Sequence, residues 1–102
     1  MNLSEYQTYA KETAIYPGQK SMQGLLYVTI GLAGEVGEFC NKVKKILRDH
    51  GGELDRETSE ALGKELGDVL WYLSQCAEEL NMDLDTIACA NLSKLTARQR
   101  QR

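Results

Sequence analysis

The chain has 102 residues, enough for one domain (1–102) with a modest core, and a formal net charge of −3. That balance argues against nucleic acid as a partner, because such binders present a basic face. No apolar run reaches the roughly 20 residues of a membrane span, and Met1–Tyr16 carries charges and no apolar segment, so no membrane partner and a cytoplasmic location are expected. The three cysteines, Cys40, Cys76 and Cys89, form no CxxC pair. They read as small apolar helix residues rather than a disulfide framework or a zinc site.

Apolar residues recur at helical spacing along nearly the whole chain, and strand patterns are absent. Four helices are predicted. The first begins at Ser4, where Ser4 and Gln7 match a capping box. It runs to about Thr13 and buries Leu3, Tyr6, Ala10 and Tyr9, before Tyr16-Pro17-Gly18 breaks it. The second runs from near Ser21 to about Asp49 on a stripe that includes Leu25, Val28, Leu32, Val36, Phe39 and Ile46. Gly51-Gly52 stops it, with His50 as a C-terminal cap rather than a ligand. The third begins between Asp55 and Thr58 and runs to about Leu80, closed by Asn81 in a left-handed conformation. The fourth follows Asp83 as N-cap, and Gln99 to Arg102 reads as a frayed tail. The two long helices, joined by a short loop, should lie antiparallel. The fold class is therefore all-α, a four-helix up-down bundle-like protomer. Its large apolar share in a short chain points to further association through helices.

The chemistry concentrates in two short motifs. The second helix reads Gly34-Glu35-Val36-Gly37-Glu38, and the third reads Glu65-Leu66-Gly67-Asp68. Each holds two acids at i, i+3, which places both on one helix face. On facing antiparallel helices the four carboxylates would share one volume and repel unless neutralised. A hard divalent cation neutralises them, and Mg²⁺ prefers such oxygen ligands while keeping waters for phosphate oxygens to replace, with Mn²⁺ as a substitute. Apolar runs flank both motifs, Ile30–Ala33 before the first and Val69–Leu73 after the second, which favours partial burial of the acids. Gly31, Gly34 and Gly37, and Gly63 with Gly67, each cost about 0.8–1.0 kcal/mol against Ala. The expected return is a close backbone approach that draws the acids together.

Gly31–Glu38 (GLAGEVGE) and Lys64–Leu73 (KELGDVLWYL) resemble the MazG-like nucleoside triphosphate pyrophosphohydrolases, an all-α superfamily. The similarity extends from Glu5-Tyr6-Gln7 to Asn91–Leu95. It implies Mg²⁺-dependent hydrolysis of a nucleoside triphosphate to the monophosphate and pyrophosphate. It implies Glu35, Glu38, Glu65 and Asp68 as metal ligands, with Glu35 or Glu38 taking the proton of the attacking water. It implies Asn91 and Lys94 near the nucleotide, Lys42 or Lys45 facing phosphates, Tyr16, Lys20 and Gln23 around the base, and a homodimer or homotetramer. From spacing, Lys42 and Lys45 follow Glu38 by four and seven residues and share its face, while Trp71 and Tyr72 follow Asp68 by three and four, where either an aromatic contact to a base or a core role fits. Many relatives carry a doubled acid where this chain has Gly34 and Lys64. Two other classes stay open: a carboxylate-bridged di-iron or di-manganese bundle, which wants Glu-x-x-His pairs whereas the single histidine, His50, is remote, and a non-catalytic helical interaction or regulatory module.

Overall fold

Four helices account for most of residues 1–101, the residues described by the computed structural model: α1 (Leu3–Glu12), α2 (Met22–Asp49), α3 (Arg56–Glu79) and α4 (Leu84–Arg100). No strand occurs among the described residues. Side-chain acceptors start three of them. Asn2 accepts from the Glu5 N–H at 2.8 Å, and Asp83 accepts from the Asp85 N–H at 2.8 Å. Asp55 and Thr58 form a reciprocal capping box at α3. Left-handed residues end the two long helices: Gly51 (φ 62°) and Gly52 (φ 78°) after α2, and Asn81 (φ 55°) after α3. His50 is the C-cap of α2, as the sequence predicts.

α2 and α3 form the antiparallel hairpin. Gly24 lies against Glu79, Gly31 against Tyr72, and Lys42 pairs with Glu65, so the register falls along α3 as it rises along α2. α1 lies antiparallel to α3 and is held by hydrogen bonds along its length. The Trp71 indole N–H donates to Thr13 Oγ1 at 2.8 Å. Gln7 is buried; its amide donates to Met82 O (2.9 Å) and Glu78 Oε1 (3.0 Å) and accepts from the Leu84 N–H (2.7 Å). Ser4 Oγ donates to Asp83 or Asp85 at 2.8 Å.

These bonds correct the predicted start of α1. Asn2 caps the helix, and Ser4 and Gln7 are inside it, using their polar groups to dock the turn between α3 and α4. Tyr9 is exposed, because it lies on the side of α1 away from Gln7 and Ala10. The predicted fraying of the C-terminus also gives way: α4 continues through Arg100, where Arg98 and Arg100 complement the negative end of the helix dipole. Arg102 lies outside the described residues.

α4 leaves the hairpin after docking its first turn on α1, and residues 89–101 are exposed throughout. Within the protomer the buried apolar residues are few: Ala10, Tyr16, Val28, Ile46, Ala77 and Leu84. No helix among the described residues is long and apolar enough to cross a membrane.

Candidate metal centre

The hairpin brings the two acidic motifs face to face. One carboxylate oxygen from each of Glu35, Glu65 and Asp68 lies within 4.8 Å of the other two. Glu35 comes from α2, and Glu65 and Asp68 come from one turn of α3. The i, i+3 spacing does what it predicts on α3. On α2, Glu38 stays outside this trio and is exposed, but its charge is felt by Glu35.

The electrostatics follow the geometry. Partial burial, then the charges of Asp68, Glu65 and Glu38, raise the Glu35 carboxyl above its usual range, against a lowering from Lys42. Lys42 Nζ lies 2.6 Å from Glu65 Oε1, and that hydrogen bond holds the ammonium proton more tightly than usual. One cation therefore serves at least three acids, which leaves negative charge in excess at the site. The donors are all hard oxygens, and histidine and cysteine are absent from the cluster. Such a set suits Mg²⁺ or Mn²⁺ and offers nothing that selects zinc or copper.

One turn along from the trio is an apolar depression lined by Tyr27, Ile30, Gly31 and Tyr72. Gly31 precedes Glu35 by four residues and Tyr72 follows Asp68 by four, so both flank the acids directly. Burial, the neighbouring Tyr27, and the charges of Glu35 and Asp68 raise the Tyr72 phenol above its usual range. A Cβ at Gly31 would strike the Tyr72 ring. The opposite side of the acids leads to a cavity lined by Lys42, Lys45, Ile46, His50, Thr58, Ala61 and Leu62. Along the hairpin the order is thus aromatic depression, acids, lysines.

The remaining predicted site residues are placed elsewhere. Trp71 ties α3 to Thr13 of α1 and meets Tyr72 edge-on, with ring centroids 5.0 Å apart and planes at 85°. Asn91 and Lys94 of α4 line a separate depression with Met82, Ile87 and Ala90, and neither makes a hydrogen bond or ion pair to the acids among the described residues. Their helix has already left the hairpin. Tyr16 stacks on Tyr27 (5.3 Å, 8°), and its hydroxyl donates to Glu79, which also accepts from the Lys20 N–H. This cluster holds the α1–α2 loop beside the aromatic depression. Tyr27 was the residue that sequence reasoning missed. Its signal was present: it stands one turn before Gly31 and two turns before Glu35 on α2.

The glycines do not play the role predicted for them. Only Gly31 of the five abuts the facing helix. A Cβ at Gly34, Gly37, Gly63 or Gly67 would meet open space. They face away from the α2–α3 contact, so close backbone approach is not what brings the acids together.

The chain is 50% identical over 102 residues to the Gene 37 protein of Mycobacterium phage L5, an alignment covering 97% of this chain and 90% of that protein. No solved structure matches the chain. The family profile of the MazG nucleotide pyrophosphohydrolase domain matches residues 23–102, which takes in both acidic motifs, α2 from its second residue onward, and all of α3 and α4. The chain belongs to the MazG nucleotide pyrophosphohydrolase family.

Proposed function

We propose that this protein hydrolyses a nucleoside triphosphate, ribo or deoxy, to the monophosphate and pyrophosphate with Mg²⁺ as cofactor, in nucleotide-pool control or house-cleaning. The observation that carries the reading is the convergence of Glu35, Glu65 and Asp68 oxygens within 4.8 Å across two helices. Family membership supplies the reaction class.

Glu35, Glu65 and Asp68 would hold the cation, with Glu38 beside them. When bound, the cation neutralises phosphate charge and lowers the pKa of a water, the two contributions that phosphoryl transfer needs most. The protein's own residues do the rest. Glu38, outside the trio and exposed, is the carboxylate with a free lone pair to take the proton of the attacking water. Lys42 neutralises Glu65 in the absence of substrate, and its exposed ammonium can turn from that carboxylate to a phosphate oxygen. Lys45 stands one turn further on. The nucleoside fits the opposite end, where Tyr27 and Tyr72 offer ring faces. Asn91 and Lys94 would meet the nucleotide at an acid cluster of another copy, in an assembly of two or four chains.

Isothermal titration with Mg²⁺ tests the centre. The wild-type protein should bind the ion, Asp68→Asn should abolish measurable binding, and Glu38→Gln should weaken it about 10–100-fold, the loss typical of a supporting group. Equal binding by all three would remove the assignment, and so would silence from the wild type with nucleotide present.

A further inference from the structure

Two glycines of α2, Gly24 and Gly31, stand seven residues apart, and each leaves room for a side chain of α3. Gly31 makes room for Tyr72. Gly24 makes room for Glu79, whose Oε1 would lie 2.9 Å from a Cβ there, and for the Gly18 carbonyl of the α1–α2 loop. Tyr72 and Glu79 are also seven apart, so they share the face that α3 turns to α2. Tyr72 lines the aromatic depression, whereas Glu79 holds the loop. Both carboxylate oxygens of Glu79 are engaged: Oε1 accepts from the Lys20 N–H at 2.8 Å, and Oε2 accepts from the Tyr16 hydroxyl. Burial, then that hydrogen bond, raises the Tyr16 phenol above its usual range, so it stays a donor at neutral pH. Lys20 has φ 65°, a left-handed conformation that a residue with a side chain keeps only when its surroundings fix it. Its ammonium donates to Glu78 O (2.7 Å) and Asn81 Oδ1 (3.1 Å), which fastens the loop to the end of α3 a second time. Tyr16 is 8% exposed, and its ring lies parallel to that of Tyr27. Tyr16 thus covers one face of Tyr27 from behind, and Tyr27 alone of the two lines the depression.

We infer that Glu79 is a positioning residue for the nucleotide: through Tyr16 it fixes the Tyr27 ring as one wall of a slot whose other wall is Tyr72. The assignment rests on the pyrophosphohydrolase reading above and adds to it a residue that acts only through others. α3 then controls both walls, one by carrying Tyr72 and the other through the chain Glu79–Tyr16–Tyr27. A carboxylate suits this task because it accepts from two donors at once, one on each oxygen. Tyr27 is 45% exposed, and a ring so exposed has to be ordered when a ligand stacks on it. A ring already held against Tyr16 avoids that cost. Glu79 is eleven residues from Asp68 along α3, about 16 Å, so it does not touch the acids. Its effect therefore falls on binding of the nucleoside and not on the chemistry at the phosphates.

Steady-state pyrophosphate release from the common ribo- and deoxyribonucleoside triphosphates with Mg²⁺ tests this. Glu79→Ala should raise KM at least about fivefold, the lower end of what a base–aromatic stack contributes. Its kcat should stay within about twofold, as for a loss of uniform binding. Glu79→Gln should recover most of the loss, because its amide oxygen still accepts from Lys20 and its amide N–H can donate to the Tyr16 oxygen. In a Tyr27→Ala background, Glu79→Ala should raise KM no further, since the wall it positions is gone. An equal rise in both backgrounds overturns the proposal, and so does a KM that Glu79→Ala leaves unchanged. If Glu79→Ala does not fold, Tyr16→Phe carries the test: it removes one oxygen, keeps the stacked ring, and should raise KM only where Tyr27 is present. A wild-type chain that releases no pyrophosphate overturns the functional reading and this proposal together. An active wild type whose variants break the expected pattern overturns this proposal alone.

Discussion

Asp68→Asn is expected to lower kcat/KM for nucleoside triphosphate hydrolysis by about 10³-fold or more, at unchanged helicity. The group sits where one oxygen each from Glu35, Glu65 and Asp68 converge, and among the described residues its side chain makes no hydrogen bond. On the proposed reading, its loss should remove cation binding and little else. Several kcal/mol of transition-state stabilisation depend on a bound cation in such reactions, and each 1.36 kcal/mol is tenfold in rate. Glu38→Gln should also lose activity but keep more of its Mg²⁺ affinity, because Glu38 lies outside the trio. Steady-state assays with circular dichroism as the folding control measure both. Near wild-type activity in Asp68→Asn would break the link between the cluster and the reaction.

The second large effect concerns two glycines three residues apart with opposite expected signs. Gly31→Ala places a methyl group against the Tyr72 ring, so the ring or the α2–α3 spacing must shift. Overpacking of this kind costs about 1–3 kcal/mol. Gly34→Ala meets open space in a helix interior, where the change from Gly gains about 0.8–1.0 kcal/mol. Urea denaturation of the two variants should therefore move the midpoint down and up respectively. Gly31→Ala should also raise KM, since Tyr72 lines the depression beside the acids. Stabilisation by both substitutions would mean that Gly31 does not face Tyr72.

The acid cluster was legible in the sequence because helical spacing is rigid: Glu65 and Asp68 at i, i+3 must share a face. The antiparallel hairpin was legible because two long apolar stripes flank a short loop with Gly51-Gly52. Ser4 and Gln7 were misread because a polar residue at the start of a helix has the same sequence signature whether it caps the helix or docks another element. Asn2 left them free for docking, and the distant Asp83 and Leu84 decided which role they took. The glycines were misread for a related reason. Spacing shows that they line a face, but only Tyr72, distant in sequence, distinguishes Gly31 from Gly34. Trp71 illustrates the same limit: its periodicity places it beside the acids, yet its indole N–H found Thr13. The positions of Asn91 and Lys94 depend on what α4 packs against, and a single protomer leaves that helix uncovered beyond its first turns.

The most direct test of the central claim is the first product released from a nucleoside triphosphate panel, assayed with and without Mg²⁺. The account predicts pyrophosphate and monophosphate in equal amounts, formed only with the divalent cation and lost in Asp68→Asn. Orthophosphate as the first product, or pyrophosphate release that survives Asp68→Asn, would contradict it.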